Sequence, residues 1–90
     1  MNRLALYTRQ ACGLCREAEA LLGELGVAYD ARDIDTRAEW TDAYGLEVPV
    51  LVALGPRTGS ERVIMGGRFD TAPELRRRLA RAGIAVPGGL

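Results

Sequence analysis

Tyr7-Thr8-Arg9-Gln10-Ala11-Cys12-Gly13-Leu14-Cys15-Arg16-Glu17-Ala18-Glu19-Ala20-Leu21-Leu22-Gly23-Glu24-Leu25-Gly26 is where this chain passes from a strand into a helix, and both of its cysteines sit at that junction. Just before it, Arg3 to Thr8 is a short, apolar, partly alternating run that predicts a buried strand. From Cys12 to Leu25, the residues Leu14, Ala18, Leu21, Leu22 and Leu25 fall at offsets 0, 4, 7, 8 and 11, one face of a helix. Arg16, Glu17, Glu19 and Glu24 point elsewhere, and Gly26 predicts a left-handed stop.

A spacing of three on a helix puts Cys12 and Cys15 on the same face, with Cβ atoms about 5–6 Å apart. A small adjustment brings such a pair to disulfide geometry. Cys12 falls at the helix start, where free amides and the positive end of the dipole favour a thiolate. Cys15 lies one turn inside and is expected to be shielded. The pair is therefore asymmetric: Cys12 attacks, and Cys15 resolves the mixed disulfide. Gly13 leaves the approach to Cys12 open, and Leu14 offers an apolar surface beside it. Structural zinc takes four Cys or His ligands, whereas this chain has two Cys and no His. A metal or iron–sulfur role across a dimer is the competing reading of the pair, and an inert pair is the third.

Working outward, Val27 to Ile34 predicts a second strand. Thr36-Arg37-Ala38-Glu39 has the capping-box pattern and predicts a helix to about Tyr44, ended by Gly45, with Trp40 and Tyr44 on its core side. Pro49 to Leu54 is apolar on both faces and predicts a central strand. A turn over 55–60 then leads to a hairpin strand, Glu61 to Met65. Thr71-Ala72-Pro73-Glu74 reads as another capping box with Pro in the first turn. Leu75, Leu79 and Ala82 mark the buried side of that last helix, and Gly83 ends it. Residues 1–83 form one domain, and 84–90, with two Gly and one Pro, predict a loosely held tail. The element order is β-α-β-α-β-β-α, and both β-α-β crossovers are expected to pair parallel neighbours. The simplest α/β solution is a four-stranded mixed sheet flanked by three helices, which resembles the thioredoxin fold.

Three weaker signals join the dithiol. Val48-Pro49 precedes the central strand, where Pro is tolerated only at the start. Gly66-Gly67 permits close approach of another backbone, or a bulge. Arg9, three residues before Cys12, is a candidate to hold an anion or support the thiolate. The overall charge is zero, which argues against a general nucleic-acid binder. It is unevenly spread: residues 1–56 hold five Arg against nine acids, and residues 57–90 hold seven Arg against three. The basic end, mostly Arg76, Arg77, Arg78 and Arg81, reads as the solvated face of a terminal helix. The apolar start is too short for a signal-peptide core, and no run approaches the roughly 20 apolar residues of a membrane helix. A reducing cytosol is the expected compartment, where two cysteines serve chemistry more often than structure.

Taken together, these residues resemble the glutaredoxin family. Tyr7 to Cys15 is similar to the family's Tyr-Thr-Lys-x-x-Cys-Pro-Tyr-Cys segment, and Ala18 to Gly26 to the helix that follows it. Ile34-Asp35 sits where the family ends its second strand in an acidic residue. Val48-Pro49 is similar to the Thr-Val-Pro segment, whose Pro is cis and faces the dithiol. Gly66-Gly67-Arg68-Phe69-Asp70 resembles the Gly-Gly-x-Asp-Asp segment that holds the γ-glutamyl end of glutathione. The departures are Gly13-Leu14 in place of Pro-Tyr, Glu47 in place of Thr, Phe69 in place of one acid, and a longer hairpin.

The resemblance implies a thiol–disulfide oxidoreductase that reduces protein or glutathione mixed disulfides. Cys12 and Cys15 would be catalytic, with Arg9, Gly13, Leu14, Val48, Pro49, Gly66, Gly67 and Asp70 around the substrate. No tightly bound cofactor and no metal are expected, and glutathione is expected only as a weak co-substrate. The partners expected are protein disulfides and a glutathione or thioredoxin-type reductant, for a monomeric cytoplasmic protein. The competing class is a binding module: a dimeric iron–sulfur carrier or a plain interaction domain.

Overall fold

The computed structural model describes residues 3–55, 57, 59–69 and 71–87. The elements follow the order β1 (Arg3–Thr8), α1 (Gly13–Leu25), β2 (Asp30–Asp33), a 3₁₀ turn (Ile34–Thr36), α2 (Ala38–Tyr44), β3 (Val50–Leu54), β4 (Glu61–Gly66) and α3 (Ala72–Arg81). The four strands lie in one mixed sheet in the order β2-β1-β3-β4.

Strand β1 is the axis of the sheet, buried from Leu4 to Thr8. Because successive strand side chains point to opposite faces, its residues divide between two cores. Leu4 and Leu6 join Ala18, Leu22 and Leu25 of α1, Leu51, Met65, and Leu75 and Leu79 of α3. Ala5 and Tyr7 join Ile34, Val50, Val52 and Leu54 on the other face, with Trp40 and Tyr44 of α2 packed against them. Helices α1 and α3 thus cover one face and α2 the other.

Helix α1 stops as its sequence predicts. Gly26 is left-handed (φ 72°), its N–H donates to Gly23 O, and the Val27 N–H donates to Leu22 O at 3.3 Å. This is a Schellman stop, completed by burial of Val27 in the same core as Leu22. The stop uses Val27, and β2 begins only at Asp30, three residues later than the sequence predicts. The buried stripe of α1 is Cys15, Ala18, Leu22 and Leu25, so Cys15 opens it in place of Leu14, which is half-buried in neither core.

Two expectations about caps are corrected. The Thr36 hydroxyl donates to Asp33 O at 2.6 Å and the Asp33 carboxylate accepts the Asp35 N–H, so these side chains close the 3₁₀ turn. The capping-box role of Thr36 is thereby lost, and α2 starts at Ala38 behind Arg37 with no side-chain cap. Thr71 caps α3 in position, but its side chain makes no cap hydrogen bond.

The second crossover is also corrected. Strands β1 and β2 are parallel, but β3 runs antiparallel to β1 and is not a neighbour of β2. The reason lies in lengths. Thr8 pairs with Asp33, and Tyr7 with Val50, so β2 ends and β3 begins at the same end of the sheet. A helix of seven residues rises only about 10 Å, too little to return the chain along β1. Helix α2 crosses the sheet face, and β3 sets off in the opposite direction.

Leu75, Leu79 and Ala82 are buried as α3's periodicity predicts. Beyond the helix, the Ile84 N–H donates to Leu79 O, and Ile84 and Val86 pack against the larger core. Residues 88–90 of the predicted tail lie outside the described residues. Among the described residues, no helix is long and apolar enough to cross a membrane.

Leu22 is wholly buried between α1 and the sheet. Replacing it by Ala is expected to lower stability by about 2–5 kcal/mol. Urea unfolding should show a lower midpoint at unchanged slope.

Candidate redox centre

The dithiol stands where β1 hands over to α1. Cys12 is the N-cap of α1, with extended backbone (φ −146°, ψ 106°), and its sulfur accepts the Cys15 N–H at 3.1 Å. The first turn of α1 contains no acidic residue, so nothing there offsets the positive end of the helix. Cys12 is half-buried and Cys15 fully buried, the asymmetry that the sequence predicts. Their Cα atoms are 5.2 Å apart and the sulfurs are bonded to each other. A Cβ added at Gly13 would meet nothing within 4 Å, so the approach beside Cys12 is open.

Three loops converge at this end of the sheet. The β1–β3 register runs to the Tyr7–Val50 pair, so Thr8 and Pro49 both follow from that end of the sheet. Pro49 is buried, and the Val48-Pro49 bond is cis. Across β3, Val50 pairs with Gly66, and the Gly67 N–H donates to Pro49 O at 2.8 Å. Gly67 is left-handed (φ 68°), a conformation that side chains other than Gly's seldom take. A Cβ on Gly66 would come within 3.9 Å of Pro49 O. The structure therefore gathers Cys12, Cys15, Gly13, Leu14, Val48, Pro49, Gly66 and Gly67 at one end of the sheet. Asp70 lies outside the described residues.

Arg9 holds a carboxylate of the chain itself. Its guanidinium forks onto Asp35, with Nε and Nη2 at 3.1 and 3.0 Å from the two carboxylate oxygens, and Nη1 donates to Gly45 O at 3.3 Å. It fastens the loop before Cys12 to the 3₁₀ turn and to the end of α2. Phe69, at one of the family's acidic positions, packs half-buried against the larger core.

Arg16 has a structural role that sequence reading missed. Its guanidinium donates to the Thr8 hydroxyl and to Arg9 O, both at 3.1 Å, and pairs with Glu19 at 3.2 Å. It clips the first turn of α1 to the end of β1. The only available signal was its adjacency to Cys15, which does not reveal partners seven and eight residues back.

A second polar cluster supports α2. The Glu61 carboxylate accepts from the Tyr7 and Tyr44 hydroxyls and pairs with Arg32 at 3.4 Å. The Tyr7 and Tyr44 rings stack with centroids 4.3 Å apart, and Trp40 meets Tyr7 edge-on at 5.6 Å. Burial, followed by the Glu61 carboxylate, pushes Tyr44 up to about 12, and burial likewise raises Tyr7. Among the described residues, no group of three or more His, Cys, Asp or Glu gathers as a metal site would require.

A mixed sheet of this order, with a CxxC pair capping its first helix and a cis proline alongside, defines a thioredoxin-fold protein. The chain belongs to the glutaredoxin-like domain family (DUF836), whose model matches residues 3–82. No match is found among curated proteins. Among solved structures, a structural genomics target protein from X. campestris is 38% identical with a TM-score of 0.68, covering 87% of this chain and 96% of that one. Desulfothioredoxin from Desulfovibrio vulgaris Hildenborough is 25% identical at a TM-score of 0.64, covering 89% and 80%. A glutaredoxin from Brucella melitensis, 20% identical at 0.51 and covering 90% and 80%, shares the fold.

The raised tyrosines carry a pH signature. A phenol whose folded pKa exceeds its unfolded value contributes stability that is complete below the unfolded value and lost as pH rises through the folded one. For Tyr44 that window runs from its ordinary 10.0 to about 12. Ultraviolet titration should show phenolate appearing late, with stability falling across this window. In Tyr44→Phe the latest phase should be missing.

Proposed function

We propose that this protein is a thiol–disulfide oxidoreductase that reduces disulfides through Cys12. The observation that carries the reading is the Cys15 N–H directed onto the Cys12 sulfur at the start of α1, with Cys15 itself buried behind it. A helix N-terminus favours a nearby anion by about 0.3–1 kcal/mol, and up to ~2 when partly buried. The Cys12 thiolate attacks one sulfur of the substrate disulfide, and the other sulfur leaves as a thiolate and takes a proton. Cys15, giving up its proton, then attacks Cys12 and expels the second substrate thiol. Two electrons pass to the substrate, and the Cys12–Cys15 disulfide remains. A thiol reductant resets it by the reverse exchange. The Val48-Pro49 segment, with its cis bond, is the surface on which a substrate segment would lie.

Protein disulfides are the proposed substrates, with the protein acting as a monomer and a thioredoxin-type dithiol as the better reductant. Glutathione is the weaker one. Arg9 is already held by Asp35 and Gly45 O, Glu47 is exposed beside the Val48-Pro49 loop, and Phe69 packs half-buried against the larger core. A lost charge-assisted hydrogen bond of about 1.5–3 kcal/mol corresponds to roughly one to two orders of magnitude in affinity.

Two measurements test these statements. In the reduced protein at neutral pH, Cys12 should alkylate first. Cys12→Ser should abolish disulfide reduction, and Cys15→Ser should trap a mixed disulfide on Cys12. First labelling at Cys15, read by mass spectrometry, would reverse the roles. In side-by-side turnover assays, glutathione should support slower turnover than a thioredoxin-type reductant, and Glu47→Thr should narrow the gap. Rapid glutathione-driven turnover unaffected by that substitution would remove glutathione discrimination from the proposal.

A further inference from the structure

The segment Asp42-Ala43-Tyr44-Gly45-Leu46-Glu47 is the end of α2 and the turn that joins it to the Val48-Pro49 loop. Gly45 remains right-handed (φ −54°) with its N–H on Thr41 O, and the Glu47 N–H returns to Tyr44 O at 2.9 Å. This tight turn turns Leu46 outward, with 102% relative exposure. A wholly exposed Leu has nothing to contribute to either core. It stands two residues from the cis bond, at the end of the sheet where Cys12 lies.

Leu46 forms one wall of a concavity of about 400 Å³ that also includes Arg9, Thr41, Asp42, Gly45 and Glu47. The cation in this hollow is committed, since Arg9 gives its donors to Asp35 and to Gly45 O. Asp42 and Glu47 are exposed and have no ion-pair partner among the described residues. Arg37, the nearest other cation in the sequence, is paired with Glu39 and lies over Trp40. Arg68 is exposed and is not among the residues that line the hollow. The hollow, which borders the dithiol end through Arg9 and the Val48-Pro49 loop through Glu47, therefore combines one apolar side chain with two carboxylates that have no ion-pair partner among the described residues.

We propose that this hollow selects the substrate: a protein disulfide one of whose cysteines is flanked by an apolar side chain and a Lys or Arg. The apolar group covers Leu46, and the cation meets Asp42 and Glu47, while the cysteine is presented to Cys12. The inference rests on the oxidoreductase reading and specifies the substrate of that same site. The exchange is the one already written: the reduced dithiol becomes the Cys12–Cys15 disulfide, and the peptide disulfide becomes two thiols.

The test uses the reduced full chain and two synthetic peptides, each with one intramolecular disulfide and a Leu beside one cysteine. One peptide carries Lys at the next position and the other carries Glu. In single-turnover mixing at low salt, the Lys peptide should be reduced about tenfold faster, the scale of two exposed ion pairs. The ratio should fall toward one at about 0.5 M salt, where exposed pairs are screened, and in the double variant Asp42→Asn with Glu47→Gln. Leu46→Ser should slow both peptides by a similar factor. Equal rates in the natural chain, or a preference that survives the double variant, would overturn the substrate assignment while leaving the oxidoreductase reading in place. If neither peptide were reduced by a chain with two titratable thiols, both proposals would fall.

Discussion

Strand β1 has a partner on each edge and a helical layer on each face, and every other element takes its position from it. Its alternation sends Leu4 and Leu6 to one core, and Ala5 and Tyr7 to the other. Such a strand has no solvated side, so polar groups have a place only at its ends. Thr8, the buried polar residue of β1, is satisfied there by Arg16. The chemistry begins where the strand can no longer be enclosed.

At that end, the geometry of the dithiol is fixed by backbone contacts and charged side chains together. The Cys15 N–H is directed onto the Cys12 sulfur, and Pro49 O accepts the Gly67 N–H. Arg9 and Arg16 bind the intervening loop from opposite sides, one to the α2 layer and one to α1. Guanidinium groups suit this work because a planar fork satisfies two acceptors at once. The exposed Arg9–Asp35 pair adds little stability by itself. Its contribution is positional, since it joins segments 26 residues apart in sequence.

Local features were legible in the sequence wherever one segment decides its own conformation. The stop at Gly26, the buried side of α3, the apolar β3 and the junction of strand, dithiol and helix all follow from periodicity and backbone preference. Features that depend on a competition between neighbours were not legible. Thr36 had two acceptable uses, and the 3₁₀ turn took it because Ile34 is anchored in the core beneath. The direction of β3 depends on where β2 ends, which periodicity does not report. At the site, the cysteines and the Gly66-Gly67 pair were readable from residue type. The roles of Arg9 and Arg16 were not, because an arginine's partners are set by what the fold brings within its reach.

The two outer strands have a consequence for how this protein behaves at high concentration. An open sheet edge offers unpaired amides and carbonyls to any other chain. Here β2 is four residues long and carries charge at Asp30, Arg32 and Asp33. Strand β4 begins with Glu61-Arg62 and loses register with β3 between Leu51 and Val52. Short length, charge and a bulge each disfavour a further strand. The sheet is thus terminated on both sides by its own sequence, which guards a chain with an exposed Val63 on its rim against edge-to-edge aggregation.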